Sequence, residues 1–234
     1  MSGKYWDITR TAIRGCSHAS RGCDHCWAER MAWRLAHNPN KKISDKYAGL
    51  VWRDGWNGDT WHDDIWDMGL PKKGKRILFN CMGDLFHKAN KPGDIQAVLD
   101  RMRCWPQHTF IVPTKRTRGA QYHLKVFRRS MTNMVLLASV EDQAALDDRL
   151  PALLECKPHV KMIGLSVEPF LGEIEIDPEE IRKLGWIIIG RETGPGARPV
   201  PPGAEQSLLW DCGFNDIPVF HKQGKVKILQ EIPI

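Results

Sequence analysis

The 234-residue sequence lacks any apolar run close to the roughly 20 residues that a bilayer-spanning helix requires. Its opening residues, Met1 to Asp7, also lack the apolar stretch of a secretory signal. Together these absences predict a cytoplasmic protein with no membrane partner. The chain has no repeated motif, which excludes a solenoid. It has no composition shift that marks a domain boundary, so a single domain over residues 1–234 is expected. An even cysteine count is missing as well. There are seven, and in a reducing compartment that argues against a disulfide framework. Apolar residues are not scarce: 42% hydrophobic against 26% charged excludes wholesale disorder.

What is present, first, is a rhythm. Apolar runs occur at 76–81 (RILFNC), 109–113 (TFIVP), 134–140 (MVLLASV), 160–167 (VKMIGLSV), 186–190 (WIIIG) and 218–221 (PVFH), with starts 25 to 33 residues apart. That spacing is the length of a βα unit, and unbroken apolar runs suit strands covered on both faces. The stretches between them, 92–103, 119–130 and 142–156, carry apolar residues at helical spacing. With a first strand near 5–9, the pattern predicts an α/β protein whose parallel sheet curls into a partial or complete TIM-like (βα)6–7 barrel. An open doubly wound sheet is the alternative. Residues at about 38–75 break the rhythm. They form an insertion rich in Gly, Asp, Asn and Trp, with Trp52, Trp56, Trp61 and Trp66, suited either to a wall over a site or to packing on the domain surface.

Second, the cysteines are unevenly spread. Cys16, Cys23 and Cys26 fall within eleven residues, whereas Cys81, Cys104, Cys156 and Cys212 are single. The cluster has the spacing C-x6-C-x2-C, contains Gly15 and Gly22 for sharp turns, and leads directly into a helix-forming stretch, 27–36. Two cysteines at a helix mouth can aim both sulfurs at one ion, and the helix N-terminus favours their thiolates. Three chemistries suit this loop. Zinc would need a fourth ligand, from His18, His25 or elsewhere. A redox dithiol would use only Cys23 and Cys26. An iron–sulfur cluster held by three thiolates would keep one iron open.

Third, the predicted strand ends carry charge. Asp84 follows the second strand within Met82-Gly83-Asp84, Lys115 and Arg116 follow the third, and Glu141 and Asp142 follow the fourth beyond Ser139. Glu168 follows the fifth, and Arg191, Glu192 and Arg198 follow the sixth around a Gly194-Pro195-Gly196 loop. In parallel βα folds the C-terminal strand ends gather the chemistry. A carboxylate beside an apolar strand end is costly without a partner. Asp142 has a simpler explanation as the cap of the following helix. The glycine loop offers backbone N–H groups to an anion or nucleotide. The net charge of +6 permits a nucleic-acid or nucleotide partner.

The three-cysteine loop after strand one, followed by Gly83-Asp84-Leu85 after strand two, resembles the radical S-adenosylmethionine (SAM) superfamily. The resemblance implies a [4Fe–4S] cluster on Cys16, Cys23 and Cys26, with SAM as cofactor and an external electron donor as partner. It further implies a SAM-binding segment at Gly83 and Asp84, and contacts to SAM or substrate from Ser139, Lys115, Glu141, Arg191 and Arg198, with Glu168 and Glu192 as catalytic acids. The first two cysteines lie farther apart here than is usual in that superfamily. Along nearly the whole chain, segments such as GCDHCWAERMAWRL, MGDLFH, SVEPFLG and IIIGRETGPGARPV resemble a phage-associated three-cysteine-motif family. That resemblance implies a host cytoplasm and a nucleotide or modified DNA base as substrate, in the form of an isomerase acting on amino-acid-modified thymine. A zinc-stabilised nucleic-acid-binding module without catalysis is the alternative expectation.

Overall fold

The computed structural model describes residues 4–62, 69–128 and 130–224, apart from the side chains of Trp61 and His62. Its centre is one sheet of seven strands: β1 (Ile8–Arg10), β2 (Arg76–Phe79), β3 (Thr109–Thr114), β4 (Met131–Val140), β5 (Val160–Val167), β6 (Trp186–Ile189) and β7 (Val219–His221). They lie side by side in chain order, and every neighbouring pair is parallel. The connections carry α1 (Trp27–Ala36), α2 (Pro92–Arg103), α3 (Thr117–Phe127), α4 (Gln143–Cys156) and α5 (Ala204–Phe214). Asp142 caps α4 as expected, its Oδ1 accepting from the Ala145 N–H at 3.0 Å. The helix expected at 119–130 instead begins at Thr117 and ends at Phe127, where Arg128 adopts a left-handed φ of 52° and stops it.

Strand alternation sorts the core into two faces. On the outer face Phe79, Phe110, Val112, Leu136, Ile163, Leu165 and Ile187 pack with the helix residues Ile95, Leu99, Leu124, Leu150 and Leu208. On the inner face Leu78, Ile111, Val135, Leu137, Trp186, Ile188 and Phe220 form a second apolar cluster with Tyr5. Each such buried side chain contributes about 1.5–3 kcal/mol. Tyr5 precedes β1 at one sheet edge, yet its ring centroid lies 5.3 Å from Trp186 and 5.2 Å from Phe220 at the other. The sheet is therefore curled, and its edges are joined by aromatic side chains. β1 and β7 are not hydrogen-bonded neighbours. Of the partial and complete barrels expected, the molecule takes the partial form, a half-barrel flanked by helices. β1 also starts later than expected, because Tyr5 and Trp6 are used in packing.

The insertion contributes one short hairpin and one antiparallel pairing to an earlier segment. Val51–Trp52 pairs antiparallel with Gly55–Trp56, and Trp61–His62 pairs antiparallel with Ile13–Arg14 of the first connection. Trp56 packs partly against the α1 side, while Trp52 is exposed. Trp66 lies outside the described residues. Among the described residues, no helix is long and apolar enough to cross a membrane.

Candidate functional site

The cysteine loop crosses the C-terminal end of the sheet because β2 seats its first part. Asn80, buried and at a φ of 60°, presents Oδ1 to the N–H groups of Ala12 and Ile13 at 3.2 and 2.9 Å. Gly15 then forms an isolated parallel bridge with Gly83. A side chain at Gly83 would stand 2.7 and 2.8 Å from the carbonyl oxygens of Ile13 and Gly15, so only glycine permits the approach. The loop ends where α1 begins, with Cys26 as the residue preceding its first turn.

Cys23 is buried, and Cys16 and Cys26 are half-buried. Cys23 Sγ accepts from the Ala19 N–H at 3.5 Å, and Arg116 Nη1 lies 3.7 Å from Cys16 Sγ. Burial, together with the charge of Asp84, pushes the Cys16 thiol up to about 12 against the opposing Arg116. Burial also raises Cys26, and the first-turn amides of α1 and the charge of Lys115 oppose the rise. The charge of Cys23 adds to the rise at both Cys16 and Cys26. Among the described residues, no set of three or more His, Cys, Asp or Glu side chains is gathered closely enough to hold a metal ion. The donor set itself suits a thiolate-bound metal group: three sulfurs on one loop, two cations beside them and a helix N-terminus.

Three acids from alternate strand ends hold this loop. Asp84, after β2, accepts from Thr114 Oγ1 at 2.8 Å, from the Lys115 N–H at 3.0 Å and from Arg116 Nη1 at 3.3 Å. Arg116 Nη2 in turn donates to Ser17, at 2.8 Å to its carbonyl and 3.0 Å to its hydroxyl. Glu141, after β4, receives Arg149 Nη1 at 2.9 Å, and Arg149 Nη2 reaches the Ser20 hydroxyl at 2.8 Å. The exposures of Glu141 and Arg149 are 1% and 3%, so this pair is sealed from water. Burial alone would raise the Glu141 carboxyl, but Ser20 and Arg149 outweigh it and hold the group below its ordinary value.

Glu192, after β6, accepts from Arg198 through Nε at 3.0 Å and Nη2 at 2.6 Å, and from His25 Nδ1 at 2.9 Å. Arg198 extends to Asp24 at 2.9 Å and to the Arg21 carbonyl at 3.0 Å. Hydrogen bonding from Arg198, with help from His25, brings the Glu192 carboxyl down to about 2. Arg21 adds a further tie, reaching the Leu171 carbonyl at 2.9 Å and Asp142 at 3.3 Å.

Beneath the loop, the inner face changes from apolar to small and polar. Ser139 and Ser166 stand opposite one another at the ends of β4 and β5, one step above Leu137 and Gly164. Glu168 accepts from Ser166 Oγ at 2.9 Å and pairs with Lys222, whose ammonium lies 5.5 and 5.9 Å from the rings of Tyr5 and Trp6. Lys115 is half-buried, and its charge is felt at both Glu141 and Cys26.

The residues expected from the sequence thus divide. Gly83, Asp84, Glu141, Glu192 and Arg198 meet the cysteine loop directly or through one cation, and Ser139, Glu168 and Lys115 line the mouth. Arg191 turns away to pair with Glu205, which also meets His221 at 2.8 Å. Arg149, Ser17, Ser20 and Lys222 were not singled out as site residues by sequence reasoning, and His25 was expected only as a fourth ligand to zinc. Arg149 lies on a helix that reads simply as amphipathic, and its distance of eight residues from Glu141 was the only signal. His87 completes the loop's seat: its Nε2 lies 2.8 Å from Ser17 Oγ, while Nδ1 accepts from the Ala89 N–H at 3.2 Å. Burial, with the nearby charge of Arg116, lowers His87 to about 4, so the ring is neutral at pH 7.

A family model described as a protein of unknown function (DUF5131) matches residues 2–230 of the chain. No curated protein and no solved structure matches it.

Proposed function

The chain belongs to the DUF5131 family, and from that premise and the caged cysteine loop we propose that it is a radical SAM enzyme acting on a substrate held at the mouth of the half-barrel. One observation carries the reading: three thiols on one loop are fastened across the C-terminal end of a curled parallel sheet by acids from three different strands. Cys16, Cys23 and Cys26 would hold a [4Fe–4S] cluster. When bound, that cluster with SAM supplies one-electron cleavage of the sulfonium and hydrogen abstraction from the substrate.

The chain's own residues perform the remaining tasks. Asp84 fixes Arg116, and Arg116 opposes the rise of the Cys16 thiol and would favour its thiolate toward a bound metal group. Glu141 with Arg149, and Glu192 with Arg198 and His25, keep the loop from opening to water. Ser139 and Ser166 offer hydroxyls at the mouth, and the pair of Glu168 and Lys222 offers one charge of each sign to orient a polar substrate. Both acids have partners, but the Glu192 side chain is 5% exposed and clamped by Arg198 and His25, so it acts by position, while Glu168, 18% exposed beside Lys222, is the acid more open to a substrate. The substrate implied by the sequence resemblance is a nucleotide or modified DNA base, with electrons from an external donor.

A zinc-stabilised nucleic-acid-binding module is the second reading, and one observation favours it. His25 directs Nδ1 to Glu192 and leaves Nε2 for a metal, the arrangement of a carboxylate-oriented imidazole ligand. Anaerobic reconstitution with iron and sulfide separates the two. The radical reading expects 5′-deoxyadenosine after SAM and reductant are added. It also expects loss of iron binding in the Cys16, Cys23 and Cys26→Ala triple variant but not in Cys104→Ala, an exposed thiol. A colourless protein that retains stoichiometric zinc and forms no 5′-deoxyadenosine overturns it in favour of the second.

A further inference from the structure

Beside the cysteine loop, on the far side of Arg116, lies a cavity of about 490 Å³ between the ends of β2 and β3 and the first turn of α3. Its size is that of a small-molecule site, about 300–1,000 Å³. Four cations line it, Lys88, Lys115, Arg116 and Arg118, against one carboxylate, Asp148. Two of the four are already matched: Arg116 by Asp84 at 3.3 Å, and Arg118 by Asp148 at 2.9 Å. Lys88 and Lys115 make no ion pair among the described residues.

The first turn of α3, Thr117 to Gly119, lines the cavity and has neither a side-chain cap nor an acidic residue, so the positive end of its dipole is left unmatched there. Two more features point to what the cavity takes. Asn90 is 5% exposed and lines the wall. Its Nδ2 donates to the Asp84 and Leu85 carbonyls at 3.1 and 2.8 Å, but its Oδ1 meets no donor among the described residues. Tyr122, 60% exposed, lines the cavity with its ring 5.1 Å from that of His123, a flat apolar surface beside the cations.

Two unmatched ammonium groups and an uncapped helix start favour a compact anion with several acceptor oxygens. The unfilled oxygen of Asn90 favours a ligand that also carries a hydroxyl or amino donor. The exposed ring favours one with a planar group. We propose that this cavity is the subsite for the phosphate group of a nucleotide unit, held between Lys88, Lys115 and the first turn of α3. Whether that unit is free or part of a strand, the recognised chemistry is the same phosphate ester. The proposal rests on the radical reading only for what the ligand reaches next: Arg116 is shared by the cavity wall and the cysteine loop, so a nucleotide anchored here extends toward the sulfurs.

The test is a calorimetric titration of the full chain, which needs no cluster. The probes are inorganic phosphate, the four common deoxynucleoside 5′-monophosphates, the corresponding nucleosides, and a dinucleoside monophosphate whose only phosphate is internal. Monophosphates should bind at least about tenfold more tightly than nucleosides, and binding should weaken with salt. Lys88→Glu should reduce affinity by about tenfold or more, and Lys88→Arg should restore it. Lys88 is exposed and makes no ion pair, so these variants fold, and circular dichroism checks that they do.

Binding of the dinucleotide as tightly as the monophosphates assigns the site to a strand backbone; binding of the monophosphates alone assigns it to free nucleotides. No binding by any probe, equal affinity for nucleoside and nucleotide, or phosphate binding indifferent to Lys88→Glu overturns the proposal. A chain that binds these phosphates but forms no 5′-deoxyadenosine sinks the radical reading and leaves this site standing. A chain that forms 5′-deoxyadenosine without phosphate-dependent binding does the reverse.

Discussion

Arg149 shows how much of the site depends on single charges. It donates to the Ser139 carbonyl at 2.6 Å, to Glu141 and to Ser20, so one guanidinium joins β4, α4 and the cysteine loop. Removing it leaves Glu141 charged and buried. We expect Arg149→Ala to cost about 3–5 kcal/mol in urea unfolding, with Arg149→Met plus Glu141→Leu recovering part of the loss because no charge is then stranded. A loss below about 1 kcal/mol in Arg149→Ala would contradict a sealed pair. Glu192 gives a pH signature. Its folded-state carboxyl sits at about 2, below the ordinary value of 4.5. On acidification the unfolded chain therefore takes up the proton first, and the group's contribution, full above about pH 4.5, drains away between about pH 4.5 and 2. The difference in stability between the wild type and Glu192→Gln should shrink across that window in denaturant titrations; a constant difference refutes the assignment. Both acids were legible in the sequence as charges at strand ends. Their pairings were not: Arg149 comes from a helix face, and Arg198, expected to meet SAM or substrate, turns to Glu192 instead, since nothing in spacing tells a solvated cation from one turned inward.

At the scale of elements, the strands and helices were legible because their signals are local. α1 and α2 fall on the expected residues, and β5 matches its apolar run end to end. Boundaries shifted where a side chain was needed elsewhere, as with Tyr5 and Trp6 ahead of β1, or where the backbone turned left-handed, as at Arg128. The seat of the cysteine loop was less legible. It depends on Asn80 offering a carboxamide to two N–H groups and on Gly83 lacking a side chain, and each is an ordinary residue until the chain that crosses it is known. This makes Gly83 a test of the loop as an element. Gly83→Val would place a branched side chain against the carbonyls of Ile13 and Gly15 and lift the loop from β2. Under native conditions, we expect Cys23 to pass from slow to rapid labelling by a thiol reagent, read by mass spectrometry, while Cys212, on the buried face of α5, stays protected. Unchanged labelling of Cys23 would mean that the carboxylate clamps alone hold the loop.

The molecule as a whole is a sheet that curls without closing its hydrogen-bonded ladder. Its parallel order could be read from the 25- to 33-residue spacing, since successive βα units place each strand beside the last. Its closure could not, because it depends on rings far apart in the chain meeting across the inner face. Tyr5 stands against Trp6, Trp186 and Phe220 in edge-to-face geometry, and Lys222 lies over the Tyr5 and Trp6 rings on its way to Glu168. The same contact that joins the sheet edges therefore also sets the position of the ion pair at the mouth. A half-barrel whose edges are held by one aromatic group should lose stability and site geometry together when that group is cut. We expect Tyr5→Ala to cost about 3 kcal/mol or more in urea unfolding, the scale of a large aromatic truncated in a core. Tyr5→Phe should cost far less, since the contacts to Trp6, Trp186, Phe220 and Lys222 are made by the ring. The loss in Tyr5→Ala should come with unchanged dependence on denaturant, because the folded sheet keeps its parallel ladder and exposes similar surface on unfolding. A near-neutral Tyr5→Ala would show instead that β1 is held by its pairing with β2 alone, and that the curl belongs to the sheet's own twist.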